Sequence, residues 1–185
     1  MRKTAALAIL GLSALPALAA PPPAPRIVVL DKVAILQASK VGQDVARQVK
    51  AAAEQAKNDL TAQGRALQNE GRTLQQQVAI LAPDLKAKRL AAFQAKEDAL
   101  KNLAQRKDDQ LKSAFLQARV AIEQQLGPIL SQVMKDHGAN LVLDKQAVVM
   151  ANEGGFDITG DVIAQLNQKM PSYKVNMNAP VQPQN

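Results

Sequence analysis

Ala79-Ile80-Leu81-Ala82-Pro83-Asp84-Leu85-Lys86-Ala87-Lys88 lies inside the longest apolar-periodic stretch of the chain, about residues 45–133. Proline is excluded from a helix interior but fits the first helical turn, and an aspartate beside it favours the positive helix start. The stretch therefore reads as two long helices folded back on each other. The outgoing helix should end near Ala82 and the return helix should begin near Pro83. At 1.5 Å per residue, the outgoing helix gives an arm roughly 55–60 Å long.

Periodicity on both sides of the proline supports this reading. Val45, Val49, Ala52 and Ala56 step by 4, 3 and 4, and Leu60, Leu67, Leu74 and Leu81 step by 7. On the return, Leu111, Phe115, Ala118, Ile122, Leu126, Ile129 and Val133 alternate steps of 4 and 3, with one repeated 4. Such a stripe is the seam of a coiled-coil-like pair. Alanine fills many seam positions, and Gln63, Lys107, Gly64 and Gly71 fall on or beside it. Each glycine costs a helix about 1 kcal/mol relative to alanine. This suits either an arm that bends around different cargoes or a merely weak coiled coil. Gly127-Pro128 should kink the return helix, and His137-Gly138 should stop it with glycine as the left-handed cap.

Short β-rich segments flank the arm. Arg26-Ile27-Val28-Val29-Leu30-Asp31 reads as a buried strand, and residues 32–40 as a helical lead-in to the arm. Asn140-Leu141-Val142-Leu143-Asp144 reads as a second strand and Ala147-Val148-Val149-Met150-Ala151 as a third. Asp157-Ile158-Thr159-Gly160-Asp161 opens a last helix over residues 161–169, with Thr159 or Asp157 as its cap. Strands from the two ends must pair across the arm, so the arm is an insertion in a small sheet. The tail, residues 171–185, is rich in Asn, Pro and Gln and is expected to be disordered.

The start of the chain indicates where the protein works. Arg2-Lys3, an apolar run over residues 5–15 and Ala17-Leu18-Ala19 make a secretory signal peptide. Cleavage after Ala19 is preferred to Ala20, which would place Pro21 just beyond the scissile bond. A polyproline-like spacer, residues 20–25, follows. The expected division is 1–19 signal, 20–25 linker, 26–42 body, 43–137 arm with its tip near 82–84, 138–170 body and 171–185 tail.

There are no cysteines, three phenylalanines and one tyrosine. A body of roughly 60–70 residues with so few aromatics is marginal alone, which makes self-association the expected route to stability. The formal charge is +7. Residues 43–135 carry fifteen Lys and Arg against ten Asp and Glu, so an excess of five sits on the arm. An exported basic protein attracts anionic lipid or acidic protein segments; nucleic acid is not expected as a partner.

The signal peptide, the first strand, the Ala/Gln/Lys-rich hairpin, Asn140-Leu141-Val142-Leu143-Asp144, Ala147-Val148-Val149 and Asp157-Ile158-Thr159-Gly160-Asp161-Val162-Ile163 together resemble the Skp/OmpH family of periplasmic chaperones. The resemblance covers about residues 26–169, and its most specific part is the C-terminal block. It implies an α+β fold: a homotrimer with a small β-barrel body built from three chains and three helical-hairpin tentacles around a cavity. It also implies ATP-independent holding of unfolded outer-membrane β-barrel proteins on their way to the outer membrane, and some members are proposed to bind lipopolysaccharide. The Pro-rich spacer and the tail depart from the family pattern.

Lys50, Lys57, Arg65, Lys101 and Arg106 are the candidate client-binding cations. Arg72, Lys86, Lys88, Arg89 and Lys96 are a candidate patch for anionic lipid or lipopolysaccharide. Ile27, Val29, Leu141, Leu143, Val148, Ile158, Val162 and Leu166 are the candidate body and trimer core. The alternative is a structural or adaptor coiled-coil protein of the envelope with one fixed partner. Catalysis is not expected: His137 is the lone histidine and reads as a helix-end residue. The sequence holds no GxSxG, no phosphate-binding loop and no His/Cys cluster, so no cofactor or metal is expected. Asp31 and Asp144 each follow an apolar run, where aspartates usually form turns.

Overall fold

A computed structural model describes residues 24–149 and 155–178. The signal peptide, its cleavage site and most of the linker, together with residues 150–154 and 179–185, lie outside the described residues. The elements run β1 (Ile27–Leu30), α1 (Lys32–Ala38), α2 (Lys40–Gln77), α3 (Pro83–Asp136), β2 (Leu141–Asp144) and α4 (Thr159–Lys169). The fold is α+β: a small two-stranded sheet with helices packed on it and a long helical hairpin, α2–α3, projecting from it.

β1 and β2 pair in parallel, with Ile27 opposite Leu141 and Val29 opposite Leu143. A parallel pair needs a crossover, and here the crossover is the whole arm. The other edge of β1 is met by residues 156–158: Val29 N donates to Phe156 O at 2.6 Å and Ile158 N donates to Val29 O at 3.0 Å. Of the expected third strand, residues 147–151, the described residues 147–149 form no strand, and residues 150 and 151 lie outside the described residues. Lys145–Ala147 is a 3-10 turn, held by Gln146 N donating to Asp144 Oδ1, and Val148 and Val149 are not in a strand. The apolar run misled because the Asp144 carboxylate offers the backbone a local turn instead of a ladder.

α1 begins where Ala34 N donates to Asp31 Oδ1 at 2.9 Å. Ser39 separates α1 from α2 and caps the latter, its hydroxyl accepting from Gly42 N. α2 ends at Gln77 rather than near Ala82, and residues 78–81 turn the chain. α3 starts at Pro83, as the proline signal predicts, and runs through Gly127 and Pro128 without interruption. Ile129 and Val133, just beyond, are fully buried, so packing holds the helix where the proline removes a bond. Gly138, at φ +60°, terminates α3. α4 starts at Thr159, two residues before the expected position, with Ile158 rather than Thr159 or Asp157 as its cap residue.

One core joins all elements at the base of the arm. Val28 and Leu30, Ile35, Val41 and Val45, Ala118, Ile122, Ile129 and Val133, and Ile158, Val162 and Leu166 belong to it. The expectation of a disordered tail fails for residues 171–178. Val175 is buried in the same core, with Tyr173 and Met177 packed against it. Tail composition hid this, because the three apolar residues alternate with Lys174, Asn176 and Asn178.

Candidate functional site

The arm has a closed end and an open end. At the base, residues of β1, α1, α2, α3 and α4 exclude water on all sides of the seam. Farther out only α2 and α3 remain, and Leu60, Leu67, Leu100 and Leu103 are half-buried at best. The helices part there to leave a groove of about 430 Å³. Leu67, Leu100 and Leu103 line it with Gln63, Glu70, Lys96 and Arg106 at its rim. One point pinches shut: Gly71 faces Phe93, and a Cβ at Gly71 would stand 2.9 Å from the ring's far carbon. Gly71 is a socket for the ring, and Leu74 next to it is the distal seam residue that is buried. The hairpin tip presents Ile80 at 86% exposure, with Leu85 and Leu90 behind it.

Phe115 does not sit in the seam. It is 42% exposed, and Ala114 takes the buried position one residue earlier. With Leu36, Val45, Ala46 and Ile122, Phe115 lines a second, mostly apolar groove of about 300 Å³ at the root of the arm. The shift is one of helix phase: Ser113, Ala114 and Ala118 are the buried positions of this part of α3. Gly42 marks the close approach of α2 to α1: a Cβ there would lie 1.8 Å from the Leu36 carbonyl oxygen.

The basic residues spread along the arm. Lys57, Arg65, Lys101 and Arg106 form no ion pair among the described residues, whereas Lys50 is 4.0 Å from Glu54. Of the tip cations, Arg72, Lys86, Lys88 and Arg89 are exposed on the distal third. Lys96 pairs with Glu70 across the hairpin at 2.5 Å, which ties α3 to α2.

The body shows two apolar faces. Val28 and Leu30 point into the core, with Ile158, Val162 and Leu166 fully buried against it. Val29 is buried and Val148 half-buried. The opposite face of the sheet leaves Ile27, Leu141 and Leu143 at 38%, 43% and 37% exposure, with Phe156 beside them. This alternation is what a strand pair gives when one side packs on the core and the other is covered only at Val29, beside residues 156–158.

The remaining polar residues of the body are structural. Asp31 caps α1 and its backbone N–H donates to Thr159 Oγ1 at 2.9 Å. Asp144 caps the turn after β2 and lies 3.5 Å from Lys32. His137 sits at the end of α3, its Nε2 2.7 Å from Asp161. Asp157 accepts from Lys145 Nζ at 2.8 Å and from Thr159 N at 2.9 Å. The Lys145 hydrogen bond, then those from Thr159, hold the Asp157 carboxyl down to about 2. The same Asp157 bond raises the Lys145 ammonium above its ordinary value.

The sequence reading singled out Gly71 but missed its role as a socket, and it missed Gly42 and Gln48. The last is a polar residue of α2 whose amide holds the tail. No signal in the sequence marks it, since α2 carries many glutamines.

The chain matches the family described as outer membrane protein (OmpH-like) over residues 26–166. No curated protein matches it. Among solved structures it is similar to a protein described as an OmpH-like outer membrane chaperone from Caulobacter crescentus CB15. The TM-score is 0.76 at 26% identity, over 84% of this chain and 92% of that one.

Proposed function

The chain belongs to the OmpH-like outer membrane protein family, and on that premise we propose that it is a chaperone of the periplasm that holds unfolded outer-membrane β-barrel proteins without ATP. One observation carries the reading. A dry base supports two helices whose distal seam stays half-open, apolar inside and basic at its rim. Such a surface offers many weak contacts and no single deep site. Multiple tethered contacts give high total affinity while each exchanges quickly. Lys57, Arg65, Lys101 and Arg106, with Lys50, attract acidic client segments, and Leu67, Leu100 and Leu103 touch apolar ones.

In this reading three copies join through their bodies. The half-exposed Ile27, Leu141, Leu143 and Phe156 support it, because a two-stranded sheet with an apolar face is marginal alone and exposes what a partner sheet would cover. The signal segment delivers the chain across the inner membrane, and no helix among the described residues is long and apolar enough to cross a membrane. The cations Arg72, Lys86, Lys88 and Arg89 at the tip are the residues we assign to contact with anionic lipid or lipopolysaccharide; Lys96, bound to Glu70, contributes less.

The test dilutes a urea-unfolded outer-membrane β-barrel protein into buffer with this chain and no nucleotide. Suppressed light scattering, with three copies and one client in the complex by multi-angle scattering, is the expected result. Capture should weaken as salt rises, since exposed charges are screened within about 8 Å at physiological ionic strength. Unchanged aggregation overturns the proposal and leaves a structural or single-partner envelope protein.

A further inference from the structure

The tail is seated on the arm like a bound peptide. Residues 172–178, Ser-Tyr-Lys-Val-Asn-Met-Asn, run without helix or turn as far as Asn176. Tyr173, Val175 and Met177 face the core, and Lys174, Asn176 and Asn178 are exposed, a strict period of two. The Gln48 side chain of α2 reads the backbone of this segment. Its Nε2 donates to Tyr173 O at 2.7 Å and its Oε1 accepts from Val175 N at 3.0 Å. A side-chain amide thus stands in for the peptide group of a neighbouring strand, bonding residues i and i+2 of an extended chain. Asp44 orients that amide, accepting from Gln48 Nε2 at 2.8 Å, and also accepts from Tyr173 N at 3.4 Å. Arg47 holds Asp44 in turn at 2.6 Å.

We propose that Gln48, Asp44 and the apolar surface under Val175 form a binding site for extended polypeptide of alternating apolar and polar residues, which the chain's own residues 173–177 fill in cis. The occupant is a segment of an unfolded protein, and the argument for it is what the site already holds. Backbone atoms supply the polar recognition, so the site demands extension and alternation rather than a particular sequence. Transmembrane β-strands alternate in this way. The seated segment lies beyond the residues that match the family, 26–166, while Asp44 and Gln48 lie within them. The inference rests on the holdase reading for the identity of its natural occupant, but not for the site itself. A tethered occupant competes at an effective concentration near millimolar, so the tail sets a threshold that only a locally concentrated client overcomes.

The test uses the full chain. Val175→Asp puts a charge where the tail enters the core and releases it. A fluorescein-labelled peptide Ser-Tyr-Lys-Val-Asn-Met-Asn is then titrated against the wild-type chain and this variant, and compared with the permuted Ser-Tyr-Val-Met-Lys-Asn-Asn. The variant should bind the alternating peptide at least about tenfold more tightly than wild type does, and more tightly than it binds the permuted one. Adding Gln48→Ala should remove about tenfold of that affinity, the net worth of its backbone bonds. Equal binding of the two peptides overturns the proposal. Hydrogen exchange on the unmodified chain keeps the question open to refutation if Val175→Asp fails to fold. Millimolar alternating peptide should speed exchange at the amides of Tyr173 and Val175, and unchanged protection overturns the site. An unfolded outer-membrane protein that is captured without displacing the labelled peptide overturns the assignment of clients as the occupant of this site. Peptide binding without suppression of client aggregation keeps the site and removes the holdase reading.

Discussion

The same two helices, α2 and α3, live in two environments. At the base, Val41, Val45, Ala118, Ile122, Ile129 and Val133 are almost fully buried, because α1, α4 and the sheet close over the seam. Along the distal arm the helices have only each other, and Leu60, Leu67, Leu100 and Leu103 stay half-open. Two helices can shield one stripe from water only where large side chains interlock, and here alanine, glycine and glutamine occupy much of it. The contrast teaches that stability and contact surface are separated along one hairpin. Folding free energy is concentrated in the root, which leaves the apolar surface of the arm free to be shared with another molecule.

Five substitutions probe that contrast. Gly42→Ala should have the largest effect. Its Cβ would enter the Leu36 backbone carbonyl at 1.8 Å, and backbone cannot swing aside, so α1 must separate from α2. A loss of about 4 kcal/mol or more in urea unfolding is expected. Next comes a matched pair of truncations. Ile122→Ala, in the dry base, should cost about 2–5 kcal/mol, while Leu67→Ala, in the open groove, should cost less than about 1 kcal/mol. Equal losses in chemical denaturation would break the comparison.

A smaller effect is expected from Asp157→Asn, which removes the partner of Lys145. The folded carboxyl titrates at about 2, below the ordinary carboxylate value, so its contribution is present above about pH 4 and is lost as pH falls toward 2. Because the pair is partly exposed, the substitution should cost no more than about 1 kcal/mol at pH 7. Wild type and variant should converge in urea midpoint near pH 2; a constant gap would mean the aspartate acts through its shape instead. Gly64→Ala should be the mildest and opposite in sign. The nearest foreign atom to the new Cβ is Leu100 Cδ2 at 4.0 Å, so the helix gains about 0.5–1 kcal/mol without a clash. A thermal melt that falls instead would show that the distal helices are packed more tightly than the open groove implies.

The hairpin was legible because its signals are local. Pro83 at the first position of α3, Gly138 as the left-handed stop and the aspartate cap of α1 each act within one turn of chain. The pairing of β1 with β2 followed from two apolar runs of matching length. Where the reading failed, a nearby polar group competed with the pattern. The turn capped by Asp144 runs on into Ala147, where the third strand was expected to begin; separately, helix phase moved the buried position from Phe115 to Ala114. Among the site residues, the arm cations were visible as an excess of charge. Gln48 was not, since a single glutamine on a glutamine-rich helix carries no signal until its partners are known.

By itself, the sequence determined the helical hairpin, its proline-marked reversal and the strands at its two ends, because periodicity and backbone restrictions act over a few residues. Only the tertiary structure decided that Gly71 is a socket for Phe93, that Lys96 is bound to Glu70, and that residues 173–177 lie along α2 in the grip of Gln48. Each of those is a contact between residues at least twenty positions apart. Such contacts depend on how whole elements pack, and composition and spacing carry no record of that.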